Sequence, residues 1–399
     1  MHKFLKCIYF FVCSIMVMQL QAQSDLKVKT IKVHDFRNSV LLSDLFTTIE
    51  YLPLETNANC YLSYPVQIEI FDSLIFIQDH REDQIFTFSM NGKFRNSIGK
   101  IGKGPGELIA YGDFFIDSNN RTIEILDNGT DKMQIFGFDG NFINSKQLIW
   151  CSSFKKTLNG DYLMYSGYAP HYHDKKGKLL DTPIVLVDNN GDIKNRFRKE
   201  FEPNGYGIRA TMLKDAINRF GDTILFCPNR SNIVFQYFNT KLSKRVVFDF
   251  GSKNLPQKYS SISDLTFNDL TNLQARYILD LANFIETEKQ YAFTFNYQNA
   301  LYQALVNKQN DKQFVTKSAN FINDLDRMNF KYFHLISYYN NSFVFYIHSI
   351  DFKEQLDRLL NSMKKIEKEI YLKDHPDILR IYNGISNENN PILVFFKCK

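Results

Sequence analysis

Two stretches of this chain repeat one another about 50 residues apart, and that period narrows the folds open to it. The first runs from Ser73 to Phe94 (SLIFIQD…QIFTFSMNGKF) and the second from Arg121 to Phe142 (RTIEILD…MQIFGFDGNF). Each holds a short apolar run closed by an aspartate, a polar gap, a second apolar run, and a turn at Asn-Gly or Asp-Gly. Those dipeptides accept the positive φ that a tight hairpin demands, so each unit is strand, loop, strand, hairpin. Repetition of such a unit at this period predicts the blades of a β-propeller.

The pattern continues along the chain. Blade one is expected from Pro65 to Gly99, with strands at Val66–Ile70, Leu74–Ile77, Ile85–Phe88 and Phe94–Ile98. Blade two repeats it from Gly112 to Leu148. Further second strands are expected at Gly160–Tyr165, Gly221–Phe226, Tyr291–Phe295 and Ser342–Ile347, giving six blades of four antiparallel strands. Strands at Ile49–Leu54 and Pro391–Phe396 lie at opposite ends of the chain. An open sheet edge invites aggregation, so one blade is expected to take strands from both ends. Two helical insertions are predicted, at about 255–290 with Ser263 as cap, and at 352–371. In the second, Leu356, Leu359, Leu360, Met363, Ile366 and Ile370 form one apolar stripe, which is expected to pack on the outside of the last blade.

The aromatic content of 15%, with 37 Phe and 22 Tyr, suits pleated, half-buried strands. The net charge of +5 is small for 399 residues, and no basic stripe is interleaved with aromatics, so no nucleic-acid partner is expected. Residues 1–22 have the form of a secretory signal: His2, Lys3 and Lys6, an apolar stretch from Phe4 to Leu20, and the small residue Ala22. The uninterrupted apolar core, Cys7 to Met18, is too short to span a membrane comfortably. Cys13 raises a lipoprotein alternative, but the preceding Val12 is bulky. The mature propeller, residues 23–399, is therefore expected to be exported to the periplasm or cell surface, with no membrane span after cleavage. Its four cysteines, Cys60, Cys151, Cys227 and Cys398, form no C-x-x-C pair and are expected as buried single thiols.

Four pieces carry a resemblance to a known family: Ile49–Thr56 (IEYLPLET), the loop Ile98–Glu107 (IGKIGKGPGE), the run ending Ile125-Leu126-Asp127, and Asn389–Val394 (NNPILV). The chain resembles the six-bladed β-propeller proteins exported by Bacteroidetes, catalogued as domains of unknown function and distantly similar to NHL-repeat propellers. The resemblance implies the propeller and the exported location. It implies no activity and no catalytic residues.

Local motifs for chemistry are sparse. The glycines of Gly102–Glu107 invite comparison with a phosphate cradle, but Pro105 and Glu107 stand where a Walker loop has Lys followed by Ser or Thr, and strands flank the loop. In an extended segment His171 and His173 would point to one side, with Tyr172 between them, but no third metal ligand is identifiable. No metal or cofactor is therefore expected. Topology adds one inference. In a four-stranded antiparallel blade the loops from second to third strand share a face with the blade-to-blade crossovers. That face gathers His80, Arg81, Glu82, Lys103, Glu107, Lys132, His171, Tyr172, His173, Arg230 and Tyr297, a mixed-charge, aromatic-bearing surface suited to a ligand. The expected function is a non-catalytic binding or scaffold propeller for a glycan, a peptide or an envelope protein. The alternative is a hydrolase or lyase assembled at the central funnel from several blades.

Overall fold

The computed structural model describes residues 28–166, 173–174, 176–178, 180, 182–197, 217–260 and 265–399. The leader, Ser263, His171 and Tyr172 lie outside them. Among the described residues, six antiparallel four-stranded sheets are arranged as a six-bladed propeller. Blade one comprises Pro65–Phe71, Leu74–Asp79, Gln84–Ser89 and Phe94–Ile98. Blade two comprises Tyr111–Asp117, Thr122–Asp127, Lys132–Gly137 and Phe142–Gln147. Blades three, four and five run from Ser153 to Arg196, Ile217 to Asp249 and Ala282 to Lys317. Blade six joins the chain ends. Ser337–Tyr339 and Ser342–Ile347 pair with the C-terminal Ile392–Cys398, and Phe46–Pro53 adds the outer strand, with Ile49 opposite Phe396.

The alternation of side chains along a strand explains why the blades stack. In blade two, Ile123 and Ile125 turn towards Phe76 and Ile85 of blade one. Leu126 turns the other way, onto Phe154 and Tyr162 of blade three. Both faces of the sheet are covered, so the second strands form near-continuous apolar runs rather than alternating ones. Each blade junction has its own buried cluster, and the ring closes through Leu393, Phe86 and Phe88 between blades six and one. Burial of one such Leu or Phe is worth about 1.5–3 kcal/mol. The fit is tight where the blade-one hairpin meets blade six: Gly92 has φ +78°, and a Cβ there would lie 2.2 Å from the Pro53 carbonyl oxygen.

The N-terminal segment straps the outside of the ring. Lys29–Lys32 runs parallel to the outer strand of blade four, with Ile31 opposite Phe248. Phe36 then bridges to Val315 of blade five, and Val40–Leu41 pairs with Phe321–Ile322. Backbone edges that would otherwise be open are covered in passing.

The first helical prediction needs correction, and the second holds with a break inside it. Within 255–290 the helices are short, α1 (Gln257–Ser260) and α2 (Phe267–Gln274), and Ala282–Glu286 is the inner strand of blade five. Ile278, Leu279 and Ala282 match a helical spacing, but Ile278 and Leu279 lie in the non-helical stretch that leads into this strand and Ala282 is its first residue. The cap of α2 is Thr266, in a reciprocal capping box with Asp269. The second segment is two helices, α3 (Ser349–Ser362) and α4 (Lys365–Asp374), and a third, α5 (Pro376–Gly384), follows it. Phe352, Leu356 and Leu360 pack against blade six. The chain leaves the helix at Met363, where ψ is 146°, and this resets the phase. Tyr371 then faces inward, and Ile366 and Ile370 are 72% and 54% exposed. All four cysteines of the described chain are buried.

Candidate functional site

The ring presents two faces. The crossovers and second-to-third strand loops lie on one; the first-to-second and third-to-fourth strand turns lie on the other. On the crossover face the aspartate that ends each repeat is a clamp. Asp79 accepts from the backbone N–H of Tyr64 (2.6 Å), Arg81 and Glu82. Asp127 accepts from Ile109, Ala110 and Gly129, and from the Thr130 hydroxyl at 2.7 Å. Each ties an incoming crossover to a loop of its own blade, so that carboxylate is committed to structure.

The residues expected on this face fall into three groups. His80, Arg81, Glu82, Lys103 and His173 are exposed, and His80 lies beside the Tyr64 ring, with centroids 6.2 Å apart. Lys132 and Tyr297 are half-buried at strand ends. Glu107 folds over its own loop, where its Oε2 accepts from Gly104 N–H at 2.7 Å, and Arg230 is 4% exposed with its backbone N–H donating to Asp280. A cavity of about 490 Å³ lies on this face, bounded by Asp131, Gln147, His173 and Asp174.

A second cavity, about 440 Å³, occupies the central channel and reaches the opposite face. Its wall draws on the inner strand of every blade: Gln67 to Phe71, Phe115 and Ile116, Lys155, Ile217 to Phe220, Ile285 and Glu286, and Ser337 and Tyr338. Ser118, Gly221 and Glu288, in the first-to-second strand turns, form its mouth. Inner-strand side chains latch neighbouring blades around this channel. Gln67 Nε2 donates to the Phe114 carbonyl (3.4 Å), Asp113 accepts from Phe154 N–H (3.0 Å), and Asn218 Nδ2 donates to the Phe284 carbonyl (2.7 Å). The volume suits a small ligand, and half-buried Phe71, Phe115, Phe220 and Tyr338 give it an apolar lining.

Charge in the wall is of two kinds. Some is neutralised locally. Glu286 is wholly buried, and its Oε1 meets Arg245 at 2.6 Å and Lys308 at 2.7 Å. Outside the lining itself, between blades two and three, Lys156 bridges Asp117 and Glu124, each at 2.7 Å, and Tyr162 donates to the second oxygen of Glu124 at 2.6 Å. Burial would raise the Asp117 carboxyl, but hydrogen bonds from Lys156 and Asn120 outweigh it and hold the group below its ordinary value. Burial likewise opposes the charge on Lys156, and its bonds to Asp117 and Glu124 push its pKa up instead. The Tyr162 hydroxyl is raised, first by burial and then by Glu124.

Arg219 is of the other kind. It starts on blade four, passes blade three, where its Nη2 donates to the Lys156 carbonyl, and lies over the Phe115 ring of blade two at 5.3 Å. Its Nε has no hydrogen-bond partner, and among the described residues no carboxylate is ion-paired with it. Burial pulls its pKa down. Glu69, on the blade diametrically opposite, accepts from Gln67 Nε2 at 3.2 Å and has no cation at ion-pair distance among the described residues.

None of these channel residues was expected from the sequence. Their signal is faint: a charged residue inside a short strand, as in Ile217-Asn218-Arg219-Phe220, marks an inner strand that faces a channel. Among the described residues no three His, Cys, Asp or Glu side chains converge as a metal site, and no helix is long and apolar enough to cross a membrane.

Comparison with known proteins places the chain. A Bacteroides fragilis protein inferred to be exported superposes with a TM-score of 0.75 at 21% identity, over 94% of this chain and all of that one. A Bacteroides vulgatus member of the DUF4221 family aligns at 10% identity and a TM-score of 0.43, over 68% of this chain and 86% of that one. No curated protein matches. The family model described as a domain of unknown function, DUF4934, matches residues 28–397, and the chain belongs to that family.

Proposed function

We propose that this protein is an exported, non-catalytic binding propeller whose ligand enters the central channel from the face of the first-to-second strand turns. The ligand classes open to it are a glycan, a peptide, or a segment of an envelope protein. The observation that carries this reading is the 440 Å³ channel cavity, walled by all six blades and combining half-buried aromatics with the guanidinium of Arg219. Rigid inner strands, latched blade to blade, hold those groups in place before a ligand arrives, which lowers the ordering cost of binding. Export accords with the likeness to the Bacteroides fragilis protein.

The test sets one face against the other. Thermal shift against glycans and short peptides would be compared in wild type, Ser118→Trp and His173→Ala. Ser118 is exposed at the channel mouth, so an indole there should obstruct entry and leave the fold intact. Loss of ligand stabilisation in Ser118→Trp alone supports the channel. Loss in His173→Ala alone moves the site to the crossover face, with His80, Arg81 and Tyr297.

A further inference from the structure

We infer that the channel takes a small zwitterion, a free amino acid or the end of a short peptide, with Arg219 as the fork for its carboxylate and Glu69 as the acceptor for its ammonium group; this rests on the channel being the binding site. The argument starts from what each charge lacks. A guanidinium has five N–H donors. Arg219 uses one on the Lys156 carbonyl, and its Nε finds no partner. It is half-buried, its guanidinium carbon lies over the Phe115 ring at 5.3 Å, and it is ion-paired with no carboxylate among the described residues. A cation–ring contact and one hydrogen bond hold the guanidinium in the wall, and its remaining donors suit a carboxylate. The carboxylates of Asp222 and Asp117 favour the Arg219 charge without offsetting burial, and an incoming carboxylate at hydrogen-bond distance lowers the remaining cost.

The other wall sets the rest of the ligand. Blades one and four are opposite each other in a ring of six, and Glu69 and Arg219 both line the channel. Glu288 at the mouth adds a second acid. Glu286 is already satisfied by Arg245 and Lys308. A neutral sugar would leave both Arg219 and Glu69 uncompensated. A dianion such as phosphate would meet Arg219 but be repelled by Glu69 and Glu288. A zwitterion answers both walls at once, and Phe71, Phe220 and Tyr338 between them suit an apolar side chain.

The experiment is titration calorimetry on the purified exported protein with five probes: trileucine, trileucine amide, N-acetyltrileucine, maltotriose and inorganic phosphate. Trileucine should bind, and blocking either end should weaken it by at least about tenfold. Arg219→Gln should bind trileucine at least about tenfold more weakly and no longer distinguish it from the amide. Glu69→Gln should no longer distinguish it from the acetylated form. Arg219→Lys keeps the charge, loses the fork and should fall between. Trileucine binding unchanged in both Arg219→Gln and Glu69→Gln overturns the inference. So does phosphate binding that needs Arg219 while trileucine fails to bind. Maltotriose binding that is lost in Ser118→Trp but untouched by Arg219→Gln overturns the zwitterion and leaves the channel reading standing. Failure of all five probes overturns both.

Discussion

Glu286 and Arg219 line the same channel one blade apart, yet the fold treats them differently. Glu286 is enclosed by two cations at 2.6 and 2.7 Å. Arg219 is left with a carbonyl and an aromatic ring. A buried charge with its partners is part of the wall, because removing either side strands the other. A half-buried charge with no ion pair among the described residues contributes little to the wall and can serve a ligand. The blade two–three cluster belongs with Glu286, since Lys156 has two carboxylates and Glu124 has a second donor in Tyr162.

This contrast can be broken by substitution. The largest effect is expected for Glu286→Ala, which strands Arg245 and Lys308 and should cost about 3–4 kcal/mol in urea unfolding. A loss under about 1 kcal/mol would mean that Glu286 is no keystone. Glu124→Gln should cost less, about 1–2 kcal/mol, because Lys156 keeps Asp117. If it cost as much as Glu286→Ala, the two oxygens of Glu124 would be acting as one unit with Tyr162.

Titration probes the same cluster more gently. The Asp117 pKa is depressed in the fold, so its contribution is present above the unfolded value of about 3.9 and is lost as pH falls through the folded one. The Lys156 pKa is raised, so its contribution is present below about 10.4 and is lost as pH rises through its folded value. Unfolding measured from pH 2 to 11 should show both limbs, and Asp117→Asn should flatten the acid one. An acid limb unchanged in that variant would assign it to other carboxylates. The smallest effect is expected for Arg219→Met, within about 1 kcal/mol of wild type. A loss as large as that of Glu286→Ala would make Arg219 structural and remove the basis for a ligand role.

Much of the architecture was legible before any coordinates. The repeat at Ser73 and Arg121, the six apolar second strands and the joining of the two chain ends all follow from local pattern, because a blade is a local unit of hairpins. Legibility failed where one local signal fits two structures. Ile278 to Ala282 match a helical period, but Ala282–Glu286 is a strand buried on both faces. The stripe from Leu356 to Ile370 presumes one unbroken helix, and two extended residues, Met363 and Lys364, turn its second half outward.

The candidate site was less legible still. The topological argument assembled the crossover face from loops that look polar in sequence, and His80, Arg81, Lys103 and His173 are indeed at the surface. The channel could not be assembled that way. Glu69, Lys155 and Arg219 are separated by 150 residues of chain between the first and last of them and meet only because six inner strands converge. Periodicity and turn chemistry act over a few residues, so the chain's own order was enough to specify blades, their number and the closing strand. Which charges end up paired depends on distances between blades, and those are set only when the ring closes and its junctions pack.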